Sequence, residues 1–305
     1  MNELLTDIKN LEIETLKNLK NSKSANTLRA YKSDFSDFAL FCSKNNFSSM
    51  PADPKIISLY LTHLSQNLKF STLKRRIASI SVIHKLKGHY IDTKHPLIIE
   101  NLLGIKRLKG SHQKAKKPLL INDLKQIINV INKVKIKEPI KIRDKALILI
   151  GFAGGFRRSE LVSIEHEDVD FVREGVKIFV KRSKTDQSGE GMTKAIPSFN
   201  NLMYCPVSHL ENWMFTKLKK KGKIFPISDR SVALIIKKYA NLVGLDSTKY
   251  AGHSLRSGFA TSTAESGAEE RNIMAMTGHK TTQMVRRYIN EANLFKNNAL
   301  NKIKI

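Results

Sequence analysis

The sequence predicts a mainly α protein with one small antiparallel β-sheet. Two observations predict it. Apolar residues recur at spacings of three and four along most of the 305 residues, the period of a helix with one buried face. Between about residues 168 and 197 that period gives way to three short segments rich in Val, Ile and Phe, separated by glycine-bearing turns. A third observation divides the chain. Lys106 to Lys117 is polar, cationic and nearly devoid of core formers, and it ends at Pro118. We therefore place a helical domain over 1–106, a basic linker over 107–118 and a second domain over 119–305, sizes that each allow a separate core.

In the first domain, Ser24 or Asn26 caps a helix carrying Leu28, Tyr31, Phe35, Phe38 and Phe41. Pro54 suits the start of a second helix through Ile56, Ile57, Leu59 and Leu61. A third begins near Ser71 with Leu73, Ile77, Ile80, Ile83 and Leu86 on one face and Lys74, Arg75 and Arg76 on the other. In the second domain, Leu119–Leu124 reads as a capped helix start, and Ile140–Phe152 as a buried helix. The strands are expected at Asp168–Val172, Gly175–Val180 and Lys194–Pro197. Ser228 caps the helix of Val232–Ile236, and a last helix is expected from about Glu291 to Lys304.

Charge narrows the partners. Lys and Arg number 53 against 27 Asp and Glu, a formal net charge of +26 spread along the whole chain, and a field of that size attracts phosphates. The longest apolar stretch, Ala146–Ile150, is far too short to span a bilayer, so we expect a cytoplasmic protein with no membrane partner. Cys42 and Cys205 lack the paired spacing of a zinc site and read as packed thiols.

Chemistry concentrates towards the end of the chain. His253-Ser254-Leu255-Arg256 is followed by Gly278-His279 and then by Tyr288. Imidazoles and a guanidinium can hold the charge of a pentacoordinate phosphate, and a phenol can attack one. No carboxylate cluster accompanies them, so the expected reaction is metal-free transfer to a side chain, with no cofactor. Taken singly, Arg157 is equally a partner for Glu160, the histidines could be core residues, and Tyr288 could be one of seven packed tyrosines.

The order of the motifs changes that weighing. Gly154-Gly155-Phe156-Arg157-Arg158-Ser159-Glu160-Leu161, the Lys184 of Arg182-Ser183-Lys184-Thr185-Asp186-Gln187, the His253–Arg256 box and the Gly278–Tyr288 segment together resemble the tyrosine recombinases, the phage integrase family, over nearly the whole chain. The resemblance implies a helical core-binding domain followed by a catalytic domain. It implies that Arg157 and Arg256 clamp the scissile phosphate, that His253 and His279 serve it as base and hydrogen-bond donor, and that Tyr288 is the nucleophile. Lys184 would be the general acid on a hairpin loop, although Lys181 and Lys194 lie near enough to compete, and Glu160 would support the clamp. The partner implied is double-stranded DNA, bound by a homotetramer whose C-terminal helix docks on a neighbouring protomer. Lys74, Arg75, Arg76 and Arg230 are the candidate DNA contacts. Two other classes share much of this pattern: a type IB topoisomerase, with the same chemistry, and a catalytically silent architectural DNA-binding protein.

Overall fold

The computed structural model of the protein describes residues 7–110, 115–183, 186, 189–216, 221–293 and 299–303. It is mainly helical with one three-stranded antiparallel sheet, and it divides into two compact units, Met1–Lys114 and Ala115–Ile305. No helix among the described residues is long and apolar enough to cross a membrane.

The first unit contains α1 (Ile8–Asn21), α2 (Ala25–Lys44), α3 (Pro54–Ser65), α4 (Phe70–Leu86) and α5 (Pro96–Lys109). The expected signals start these helices: the Ser24 hydroxyl accepts from the Thr27 N–H, and Asp53 caps α3 ahead of Pro54. Phe38, Tyr60, Leu61, Leu73, Ile80 and Ile98 fill the core. On α4 the buried seam continues from Ile80 to His84, while Leu86, expected in the core, is 57% exposed. One more helical step of four residues from Ile80 reaches His84, so Leu86 falls outside the stripe. The buried His84 ring earns its place by accepting the Ala52 N–H at Nε2 (3.1 Å) and meeting the Ile80 carbonyl at Nδ1 (2.9 Å).

The basic face of α4 also differs from expectation. Arg75 and Arg76 are ion-paired to the buried Asp34 of α2, at 2.5 and 3.2 Å, and Arg76 also reaches Asp37 at 3.3 Å. Asp34 further accepts the Ser79 hydroxyl, and Asp37 the Tyr60 hydroxyl. The three residues are therefore not a free row of phosphate donors: Lys74 stands exposed, while Arg76 is largely enclosed. Helix α5 runs through Arg107–Lys109, which the sequence suggested as linker.

The second unit contains α6 (Ile121–Lys133), α7 (Glu138–Ala153), α8 (Arg158–Ser163), β1 (Val169–Val172), β2 (Gly175–Val180), β3 (Met192–Pro197), α9 (Pro206–Phe215), α10 (Asp229–Leu242), α11 (His253–Glu265), α12 (Glu270–Thr277) and α13 (Thr282–Asn293). The sheet order is β1-β2-β3, with Val172 opposite Gly175 and Val180 opposite Met192. Helix α7 is buried from Ala146 to Phe152 and forms the spine, packed by α9 and α11. The start of α6 has no side-chain cap, contrary to the sequence reading. The entering strand is instead tied to the chain just before and within α11, with the Lys117 N–H donating to the Lys249 carbonyl and the Leu119 N–H to the Ser254 carbonyl.

A helix, α13, begins nine residues before the expected last helix and includes 291–293; of the rest of that span, Ala299–Lys302 is a single 3-10 turn, and residues 294–298 and 304 lie outside the described residues. The reason is packing. Val285 is fully buried against Ala260, Ala264 and Ile273, with Tyr288 and Ile289 beside them, so this segment is the third side of a small core with α11 and α12.

Asp34→Ala should lower the stability of the first unit by about 3 kcal/mol, because it leaves the enclosed Arg76 charge without its buried carboxylate. Urea unfolding of the protein checks this. A loss below about 1 kcal/mol would mean that solvent screens the pair.

Candidate active site

The site lies where three chain turns of the second unit meet: the α7–α8 turn, the start of α11, and the α12–α13 turn. Gly154 caps α7, and Gly155 follows with φ +54°, a left-handed conformation that favours glycine. A Cβ there would also press on the Phe259 ring and the Thr277 methyl, at 3.1 and 3.2 Å. That bend aims the Gly155 carbonyl at Arg256, whose Nη1 donates to it at 3.0 Å. It also delivers Arg157 to the start of α8, where its backbone N–H (2.9 Å) and its Nη1 (2.6 Å) both donate to the Glu160 carboxylate.

Arg256 is 1% exposed, yet its Nε and Nη2 have no hydrogen-bond partner. Buried donors are nearly always satisfied, so two unpartnered nitrogens on one buried guanidinium mark the place of an anion. Burial, then Arg157, lowers its pKa to about 10 against the opposing charge of Glu160; it stays a cation at neutral pH.

The nucleophile and base candidates meet across α11 and α13. His253 Nε2 and the Tyr288 hydroxyl are 3.2 Å apart. Burial, then the charges of Arg256, Arg157 and Arg158, lowers the His253 pKa, so the imidazole is neutral at pH 7 and its Nε2 can accept the phenol proton. His279 follows Gly278, whose left-handed φ of +62° ends α12 with an N–H bond to the Met274 carbonyl. The His279 ring sits with its centroid 6.0 Å from that of Tyr288, and its Nδ1 is 2.7 Å from the buried Thr277 hydroxyl. Burial and the nearby Arg256 and Arg157 lower its pKa to about 4. The Thr277 hydroxyl donates to the Ile273 carbonyl at 2.6 Å, with the Met274 carbonyl at 3.5 Å, and lies against this Nδ1 as well. The tautomer of the ring decides the roles: with the proton on Nδ1 the imidazole donates to the Thr277 oxygen, and with it on Nε2 the ring can donate to a phosphate oxygen.

Arg157, Glu160, His253, Arg256, His279 and Tyr288 thus come together. Lys184 lies outside the described residues. Its two competitors are committed elsewhere. Lys181 is held by Glu165, Glu167 and Asp168 at 2.6, 2.7 and 3.0 Å, which raises its pKa. Lys194 is buried, with Nζ 2.6 Å from the Gly154 carbonyl and 2.5 Å from the Met276 carbonyl, over the Phe156 ring; burial lowers its pKa to about 7, against the raising effect of Glu160. Arg230 is exposed at the start of α10, and Lys74, Arg75 and Arg76 belong to the other unit. Sequence reasoning passed over Thr277 entirely. For Lys194 a signal existed: it stands two residues from the buried Ile196, so strand alternation turns it inward. Among the described residues no group of three His, Cys, Asp or Glu is arranged to hold a metal ion.

Residues 117–294 match the Phage integrase family, and residues 14–87 match its N-terminal SAM-like domain. The chain belongs to the phage integrase family. This makes it a tyrosine recombinase, an enzyme of site-specific recombination. It is 39% identical over 278 residues to the integrase/recombinase xerD homolog of Selenomonas ruminantium, covering 86% of this chain and 81% of that one. It is 29% identical to the tyrosine recombinase XerC of Syntrophus aciditrophicus over 160 residues, 48% of each. Its fold is similar to that of the XerH site-specific recombinase bound to a palindromic difH substrate, with TM-score 0.61 and 17% identity over 81% of this chain and 73% of that one. A lambda integrase dimer bound to a COC′ core site gives TM-score 0.59 and 17% identity, covering 97% and 98%.

The lowered pKa of His279 has a consequence for this recombinase without DNA. The unfolded imidazole takes up a proton below its ordinary value of 6.5 and the folded one only near about 4, so the stability it contributes is fully present above 6.5 and is lost as pH falls through that window. The thermal midpoint should therefore fall between those pH values, and His279→Gln should flatten the fall. An equal slope in both proteins would place the titration elsewhere.

Proposed function

We propose that the protein cleaves and rejoins double-stranded DNA through a 3′-phosphotyrosine bond at Tyr288. The observation that carries this is the approach of Tyr288 to His253 Nε2, at 3.2 Å, beside a buried Arg256 with two unoccupied donors. Tyr288 gives its proton to His253 as its oxygen attacks phosphorus. Arg157 and Arg256 hold the two non-bridging oxygens, and His279 adds a donor as charge develops on them. The 5′-oxygen leaves with a proton from Lys184. The commitment of Lys181 to three carboxylates and of Lys194 to two carbonyls supports this choice among the lysines. Because the phosphotyrosine bond conserves the energy of the phosphodiester, the 5′-hydroxyl of another strand can displace Tyr288 without ATP.

In this reading the first unit, matched by the SAM-like domain, is the core-binding half, the second is the catalytic half, and both lie along the duplex. The DNA-bound solved relatives and the charge of +26 support that partner. Four protomers act on two sites, the C-terminal turn docking on a neighbour; the exposure of Leu300 and Ile303 supports this. In the same reading the DNA acted on belongs to a mobile element and the enzyme works in the cytoplasm.

Tyr288→Phe should bind DNA as the unmodified protein does and form no covalent adduct, since it removes only the attacking oxygen. A nicked suicide duplex, built on DNA recovered from wild-type adducts, reads this directly; adduct at equal yield would exclude Tyr288.

Lys184→Ala should slow cleavage by about 10² to 10⁴, the contribution of a positioned proton donor. Sulfur in place of the bridging 5′-oxygen leaves as a thiolate with little need of a proton, so that substrate should restore Lys184→Ala but not Arg256→Ala. Restoration of Lys181→Ala in its stead would move the acid.

A further inference from the structure

The Lys194 side chain is buried beside the clamp residues, and both of its hydrogen-bond acceptors are main-chain carbonyls. Its two carbonyl acceptors belong to the two turns that carry the clamp. The Gly154 carbonyl, at 2.6 Å, ends α7 one residue before the carbonyl that Arg256 grips and three before Arg157. The Met276 carbonyl, at 2.5 Å, lies in the last turn of α12, one residue before the threonine that contacts the His279 ring. Carbonyls in the last turn of a helix have no partner within the helix and carry the negative end of its dipole. One amine, with N–H donors in either protonation state, thus satisfies the ends of two helices at once. It is 1% exposed, and Phe156 lies under it with the ring centroid 4.6 Å from Nζ.

We propose that Lys194 is a positioning residue of the strand-cleavage reaction, a cationic staple that sets the distance between the arginine-bearing turn and the His279 turn without touching DNA. The inference rests on the reading of Arg157, Arg256 and His279 as the phosphate clamp. The physical demand for such a staple is specific. The two turns come from helices more than a hundred residues apart, both bend through left-handed glycines, Gly155 and Gly278, and no disulfide joins them among the described residues. A displacement of about 1 Å in a catalytic group can cost about 10²-fold in rate. The staple acts on the transition state and leaves DNA binding, which is spread over two basic units, nearly unchanged.

The test is a double-mutant cycle in the full-length protein, with single-turnover cleavage of a nicked suicide duplex at saturating protein and DNA affinity measured separately. Lys194→Met, which keeps the aliphatic stem and removes every donor, should cleave at least ten-fold slower with DNA affinity within three-fold of wild type. Because Lys194 works through His279, His279→Ala should cost several-fold less in the Lys194→Met background than in the wild type. Wild-type cleavage by Lys194→Met, losses that simply multiply, or a loss confined to affinity would each overturn the proposal. Should Lys194→Met not fold, Lys194→Gln takes its place: shorter and uncharged, it cannot hold both carbonyls as the ammonium does and should show the same pattern. Failure of both to fold would make Lys194 a residue of the fold alone and overturn the assignment. Adduct formation by Tyr288→Phe would instead defeat the underlying reading, whatever Lys194 does.

Discussion

Glu160 is the carboxylate on which the assembly of the site depends. It is 1% exposed and pairs with Arg157 through both its backbone N–H and its guanidinium, and its charge opposes the mutual repulsion of Arg256, Arg157 and Lys194. Several cations brought together out of water, with no anion present, would drive one another to lose protons or to move apart. One internal carboxylate offsets part of that repulsion. It leaves the rest uncompensated, with two N–H groups of Arg256 still open. In the proposed reaction a phosphodiester would complete what Glu160 begins, and the remaining deficit would be a source of affinity that the site holds ready before the DNA arrives.

The same field sorts the titratable groups into roles. Guanidinium pKa values start so high that a fall to about 10 leaves Arg256 charged, whereas the same surroundings hold both imidazoles neutral. One set of groups can only bind charge and the other can exchange protons, and no side chain must do both. A bound phosphate would weaken the repulsion on His253 and His279 and raise their proton affinity, which suits the roles proposed for them. Lys181, by contrast, is surrounded by carboxylates and keeps its proton. Neighbours, and not residue type, separate these lysines and histidines.

Much of this was legible along the chain. Ser24, Pro54 and Ser228 mark helix starts because a cap is a local interaction, made within a few residues. The strands are legible because glycine turns and β-branched runs act over the same short range. The site residues were legible as an ordered set of side-chain types, each suited to a phosphate or to a proton. What failed had a common cause. Arg75 and Arg76 read along the chain as free cations, whereas Asp34, 41 and 42 residues away, folds against both. Leu86 looks like core until the packing of His84 ends the seam, and the start of α13 was missed because Val285 finds its core in α11 and α12.

The sequence by itself therefore determined the helical class, the small sheet and the family, and it named the candidate site residues, because these follow from local periodicity and from side-chain chemistry that does not depend on surroundings. Only the tertiary structure decided which cations are spoken for and which remain open. It turned Lys194 inward to two helix ends, withdrew two arginines of α4 into ion pairs, left Arg256 half satisfied and set Tyr288 beside a neutral imidazole. Charge state and hydrogen-bond satisfaction are properties of distances between residues remote in sequence, and those distances exist only once the chain has folded.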